Sequence, residues 1–207
     1  MTASTKLLLA TRNPGKLSEL RQMLSGLPVV ITDLTAFPQA PEIAEVGHTF
    51  AENAKLKATG YACETRLLTL ADDSGLEIDA LGKEPGVYSA RYLGESVSFA
   101  KRIQSLLERL DGVELDERTA RFVCAIATAD AGGNILNTAV EICEGWIAEQ
   151  PRGSSGFGYD PIFVPDGYAL TFGELDSTVK NVISHRARAL TKVISFLQTL
   201  TASGSAD

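Results

Sequence analysis

Asp72 and Asp73 are adjacent carboxylates that follow the apolar run Leu67-Leu68-Thr69-Leu70-Ala71 and precede Ser74-Gly75. Charge at the exit of an apolar strand is costly unless a cation or hydrogen-bond donors compensate it. Magnesium is the natural compensation. It takes carboxylate oxygens and keeps several waters, one of which a neighbouring carboxylate can orient or deprotonate for attack on phosphorus. Taken alone, Asp-Asp-Ser-Gly reads equally as an ordinary turn.

Thr11-Arg12-Asn13-Pro14-Gly15-Lys16 lies between an apolar strand and a helical pattern. Free backbone N–H groups and the helix dipole favour an anion there, and the segment adds two cations and two short polar side chains. It is not a Walker A loop, because the spaced first glycine and the Ser/Thr after Lys16 are missing. A solvated Asn-Pro-Gly turn is the alternative. Gly156-Phe157-Gly158-Tyr159-Asp160 joins an aromatic face to an acceptor on a flexible loop, which suits a flat heterocycle stacked on a ring. Ser184-His185-Arg186 supplies donors, although a lone histidine is more often structural. Together these stretches cover the parts of a nucleoside triphosphate, each at the end of an expected element.

The elements that must position them alternate between strand and helix. Lys6 to Ala10 reads as a buried strand, followed by a turn at Asn13-Pro14-Gly15 and a helix carrying Leu17, Leu20 and Leu24. Pro28 to Thr32 reads as a strand and Phe37 to Gly47 as a surface loop. Thr49-Phe50-Ala51-Glu52 is a capping box that opens a helix to about Glu64. On that helix Asn53 and Lys57 share a face, a candidate site wall. Leu67 to Ala71 and Leu76 to Leu81 read as two strands separated by the Asp-Asp-Ser-Gly break. A helix over Ser98 to Leu110, long strands over Thr119 to Ala129 and Ile135 to Glu149 around a turn at 131–134, a strand over Pro161 to Val164 and a last helix with Ala187, Leu190, Ile194 and Leu197 on its buried stripe complete the pattern. The architecture expected is α/β with a mixed sheet, as one domain, ordered over about 6–200, with the tail from Ala202 to Asp207 disordered.

Composition narrows the classes. The chain has 207 residues and a formal charge of -7 with no Lys/Arg run, which excludes a nucleic-acid or anionic-membrane partner held mainly by electrostatics. Leu7-Leu8-Leu9-Ala10 is far too short for a signal or membrane segment, so a cytoplasmic protein is expected. Cys63, Cys124 and Cys143 show no metal or redox spacing and are expected to be reduced, Cys124 and Cys143 as small buried hydrophobes.

Six ordered segments resemble the inosine triphosphate pyrophosphatase family, also known as the dITP/XTP pyrophosphatases. They are Ala10 to Lys16, Thr49 to Ala54, Ala71 to Leu76, Pro85 to Tyr92, Gly156 to Pro161 and Lys180 to Arg186, and the likeness runs from Lys6 to about Leu200. The resemblance implies an elongated mixed sheet flanked by helices, with two lobes and the active-site cleft between them, usually as a homodimer. It implies hydrolysis of inosine, deoxyinosine and xanthosine triphosphates to the monophosphate and pyrophosphate with Mg2+. Thr11, Arg12, Asn13, Pro14, Gly15 and Lys16 would hold the triphosphate, with Lys57 assisting. Asp73 would be general base and metal ligand, with Asp72 and Glu45 as further metal carboxylates and Ser74 as a substrate contact. Phe157, Gly158, Tyr159 and Asp160 would form the base-stacking and ribose wall, Lys180 a further contact, and His185 and Arg186 the reader of the base. Donors at His185 and Arg186 would be satisfied by a 6-oxo purine and left unpaired by adenine.

Overall fold

The computed structural model describes residues 5–203. Its elements run β1 (Lys6–Leu9), α1 (Pro14–Leu24), β2 (Val30–Asp33), α2 (Phe50–Thr65), β3 (Leu68–Ile78), α3 (Phe99–Arg109), β4 (Thr119–Ala129), β5 (Ile135–Ile147), β6 (Phe163–Pro165), α4 (Ser177–Ile183) and α5 (His185–Ser203). The six strands form one sheet in the order β2-β1-β3-β4-β5-β6. β1 runs parallel to both β2 and β3, whereas β5 and β6 are antiparallel, so the sheet is mixed as expected. β4 and β5 are joined by a turn in which the Asp130 N–H donates to the Asn134 carbonyl (3.0 Å).

The chain divides into two compact units. The first takes the described parts of Met1–Asp73, Cys124–Glu141 and Ala187–Asp207; the second takes Ser74–Val123 and Ile142–Arg186. In the first, Leu7 and Leu9 of β1, Leu70 of β3 and Cys124 and Ile126 of β4 share one alternation and pack with Leu20 and Leu24 of α1 and Leu190, Val193 and Leu197 of α5. In the second, Leu76 and Ile78 of β3, Leu106 and Leu110 from the α3 segment, Phe122, Ile147, Phe163 and Phe172 form a separate cluster. Each fully buried Leu, Ile or Phe contributes about 1.5–3 kcal/mol, so each unit has a core of its own.

Local signals explain most helix starts. Asn13 caps α1, its side chain accepting from the Gly15 and Lys16 amides, and Pro14 at the first helical position needs no amide partner. The expected turn at 13–15 is therefore the helix start itself. Thr49 and Glu52 form the complete capping box on α2, and Ser98 caps α3.

Three expectations are corrected. β3 is one continuous strand through Asp72-Asp73-Ser74-Gly75, because tertiary partners compensate its polar residues and hold them in the ladder. α4, capped by Asp176, was not expected, since its seven residues show too little periodicity to stand out. Ala202 and Ser203 end α5 rather than a disordered tail, and residues 204–207 lie outside the described residues. All three cysteines are free, with Cys63 exposed and Cys124 and Cys143 buried, as expected. Among the described residues no helix is long and apolar enough to cross a membrane.

Candidate active site

In the first unit the loop from β1 to α1 is tied down from within. The Thr11 hydroxyl accepts from the Asn13 amide (3.2 Å), and Asn13 Oδ1 accepts from the Gly15 (2.9 Å) and Lys16 (3.1 Å) amides. The amides expected to face an anion are thus partly taken by the cap. The exposed Arg12 donates to the Ala40 carbonyl (2.9 Å), and Lys16 pairs with Asp72. The cations and hydroxyl of this loop, more than its amides, are what an anion would meet.

Lys57 of α2 sits between two carboxylates, 2.6 Å from Glu45 Oε1 and 3.0 Å from Asp73 Oδ1. Burial works to lower the Lys57 pKa, but the charges of Asp73 and Glu45 outweigh it and hold the ammonium above its ordinary value. Asp73 is pushed the other way. Burial raises its carboxyl above the usual range, opposed by Lys57 and Lys16 and assisted by Glu45. Its Oδ2 is buried with no hydrogen-bond partner among the described residues.

Asn53, the face-mate of Lys57, is wholly buried and accepts from the Gly47 amide (2.8 Å), anchoring the loop two residues beyond Glu45. A Cβ at Gly47 would lie 2.8 Å from Asn53 Oδ1 and 2.7 Å from Glu52 Cβ, so this close approach requires glycine. The Asn53–Lys57 spacing pointed to a wall; that it braces the Glu45 loop was not legible.

Asp72 and Asp73 do not converge. Alternation along β3 sends them to opposite faces, Asp72 toward Lys16 of α1 and Cys124, Asp73 toward Lys57 of α2. No three His, Cys, Asp or Glu among the described residues gather into a ready cation cage. That pattern is compatible with a small hard dication, which is held by one or two carboxylates plus substrate phosphates. The partnerless Asp73 Oδ2 and the nearby Glu45 fit such an ion; the fully enclosed Asp72 does not.

In the second unit Phe157 is half-buried on a loop with positive φ at Gly156 (73°) and Gly158 (67°). Its amide donates to Asp160 Oδ2 (2.7 Å), and Lys180 Nζ donates to the same oxygen (2.5 Å). The Lys180 ammonium lies 5.0 Å and the Arg186 guanidinium 5.5 Å from the centre of the Phe157 ring, within cation–π range. Arg186 also donates to Ser74 Oγ (2.8 Å). His185 is stacked on Phe122, with ring centres 4.7 Å apart and planes 9° from parallel.

Tyr159 turns inward instead. Its hydroxyl donates to the Ser89 carbonyl (2.9 Å), its ring meets Phe99 edge-on, and burial pushes its pKa up. Phe157, Asp160, Lys180, Arg186 and Ser74 therefore form one connected group, with Tyr159 as its anchor to the core. The stacking of His185 on Phe122 left no local trace in the sequence.

Residues 7–196 match the Ham1 family. The chain belongs to that family. Among its relatives, the dITP/XTP pyrophosphatase of Geobacillus kaustophilus is 49% identical over 91% of this chain and 92% of its own length. The dITP/XTP pyrophosphatase of Bacillus subtilis is 46% identical, covering 92% and 96%. A HAM1 protein structure from Coxiella burnetii superposes with a TM-score of 0.85 at 42% identity, covering 94% of this chain and 99% of that one. This Ham1 chain thus shares both fold and length with its relatives.

Proposed function

We propose that this chain hydrolyses non-standard 6-oxo purine nucleoside triphosphates, among them inosine, deoxyinosine and xanthosine triphosphates, to the nucleoside monophosphate and pyrophosphate, removing them from the nucleotide pool. The reading is carried by Asp73, a buried carboxylate with a raised pKa and one partnerless oxygen beside the Lys57–Glu45 pair. Relatives named dITP/XTP pyrophosphatase, alike over nearly the whole chain, support it.

Each group of residues takes one task. Thr11, Arg12, Asn13 and Lys16 bind the triphosphate, with the main chain of Pro14 and Gly15 shaping the loop. Asp73 accepts a proton from the attacking water. The water oxygen bonds to the α-phosphorus as the bridge to the β-phosphate breaks, releasing pyrophosphate. A carboxyl whose pKa is raised is the better proton acceptor near neutral pH. Lys57 holds Glu45 and Asp73 against mutual repulsion until substrate arrives. A divalent ion, which we assign as magnesium, would be held by Asp73 and Glu45 and would neutralise phosphate charge.

In the second unit Phe157 offers a stacking face, Ser74 and Arg186 a linked pair of polar groups, and His185 and Arg186 the donors that favour a 6-oxo purine. Buried polar groups left unpaired by the wrong base can yield discrimination of about 10⁴-fold. The reading takes the whole chain as a single functional domain, cytoplasmic as expected from its sequence and homodimeric as the resemblance implies.

The deciding experiment measures pyrophosphate, as distinct from orthophosphate, released from inosine, xanthosine, guanosine and adenosine triphosphates with magnesium and with chelator. Magnesium-dependent pyrophosphate from the first two, with little from the others, is the expected result. Tight nucleotide binding without turnover would replace the enzyme with a nucleotide-binding protein.

A further inference from the structure

We propose that Asp72 is a positioning residue acting through Lys16, and that Cys124 holds Asp72 in that role. The inference rests on the proposed function, in which Lys16 meets the triphosphate. Asp72 shares its face of β3 with Leu70, beside an apolar cluster that includes Leu9, Leu20 and Cys124. Its side chain is fully enclosed, with Lys16 Nζ at Oδ1 and the Cys124 thiol donating to Oδ2 at 3.0 Å.

An enclosed carboxylate with both oxygens engaged is poorly placed to take up an ion that must arrive from water with its substrate. Stability does not explain the pair either. Buried ion pairs are commonly replaceable by apolar residues without loss, because desolvation offsets their attraction. What the pair does supply is order.

Lys16 is fixed at both ends, its amide by Asn13 Oδ1 (3.1 Å) and its ammonium by Asp72. A lysine stem has large rotamer freedom, and restricting it beforehand removes that cost from binding. The thiol completes the device by satisfying the second carboxylate oxygen without adding a charge. This gives Cys124 a task beyond that of a small hydrophobe.

The test is a double-mutant cycle of Asp72→Asn and Lys16→Met, read in steady-state kinetics with inosine triphosphate, in magnesium titration, and in calorimetry of tripolyphosphate binding in chelator. Asp72→Asn is expected to raise KM and weaken tripolyphosphate binding about tenfold, a charge-assisted contact's worth, with kcat changed less than about threefold. Half-saturating magnesium stays where it was. In the Lys16→Met background Asp72→Asn adds nothing; this double variant leaves no unpaired buried charge, so it remains testable if the single one folds poorly.

A tenfold shift in half-saturating magnesium, or a further loss in the Lys16→Met background, would overturn the proposal in favour of a direct role for Asp72. Cys124→Ser, which keeps a donor, should preserve KM, whereas Cys124→Ala should raise it about threefold. Equal KM values for the two would remove Cys124 from the device. If the parent protein releases no pyrophosphate, the functional reading fails on its own, and the calorimetric arm still decides whether Asp72 acts through Lys16.

Discussion

Asp73 and His185 belong to different units and carry different parts of the proposed function, so each makes a separate prediction. Asp73→Asn keeps the shape and removes the proton acceptor, so turnover of inosine triphosphate should fall about 10²–10⁴-fold while nucleotide binding persists. Turnover near the parent rate would show that Asp73 is neither base nor necessary ligand. His185 is buried against Phe122, which fixes its ring plane before any base arrives. His185→Ala should narrow the ratio of kcat/KM between inosine and adenosine triphosphates. An unchanged ratio would mean the base is read elsewhere. At this scale residue types were legible in the sequence, but their pairings were less so. Adjacent carboxylates looked like one metal site because spacing along a chain says nothing about which strand face has partners. Lys16 and Lys57, on different helices, decide that each carboxylate has its own counter-charge.

Helix starts were the most legible elements, because caps are local chemistry: Thr49 with Glu52 needs only a three-residue spacing. β3 was misread as two strands because Asp, Ser and Gly are poor strand formers in isolation. Lys16, Lys57 and the Arg186 contact to Ser74 supply what local propensity lacks, and all lie far away in sequence. The glycine loop before Asp160 gives the sharpest prediction among the elements. Gly156 has φ +73°, and a Cβ there would sit 2.0 Å from Asp160 Oδ2 and 3.2 Å from Lys180 Nζ. That carboxylate is held by the Phe157 amide and Lys180, so it cannot swing away cheaply. Gly156→Ala should cost about 1–2 kcal/mol for the left-handed backbone alone, before the clash is counted. Thermal unfolding should show the loss and kinetics a raised KM; parent values for both would mean the loop relaxes freely.

For the molecule as a whole, acid sensitivity is predictable from Asp79. It accepts from Arg121 through both oxygens (3.0 Å each) and from the Thr119 hydroxyl (2.7 Å), while Arg121 also grips Glu144 (2.9 Å). Arg121 above all holds the Asp79 carboxyl well below its ordinary value of 3.8. A depressed folded-state pKa adds stability above the unfolded value that is lost as pH falls toward the folded one. The melting-temperature gap between the parent and Asp79→Asn should therefore be constant from neutral pH to about pH 5 and shrink below about pH 4. A gap that persists unchanged in stronger acid would mean that the charge on Asp79 is not what stabilises.

The two units are interleaved along the chain as first, second, first, second, first. The apolar cluster of the first draws on Leu7 and Leu9 near the beginning and on Leu190, Val193 and Leu197 near the end. During synthesis those early leucines leave the ribosome long before their α5 partners are translated. A message cut short before α5 would yield a chain whose opening strand and helix lack the α5 side of their core, which makes loss of the last twenty or so residues a lesion of the first unit's interior rather than a trimmed tail.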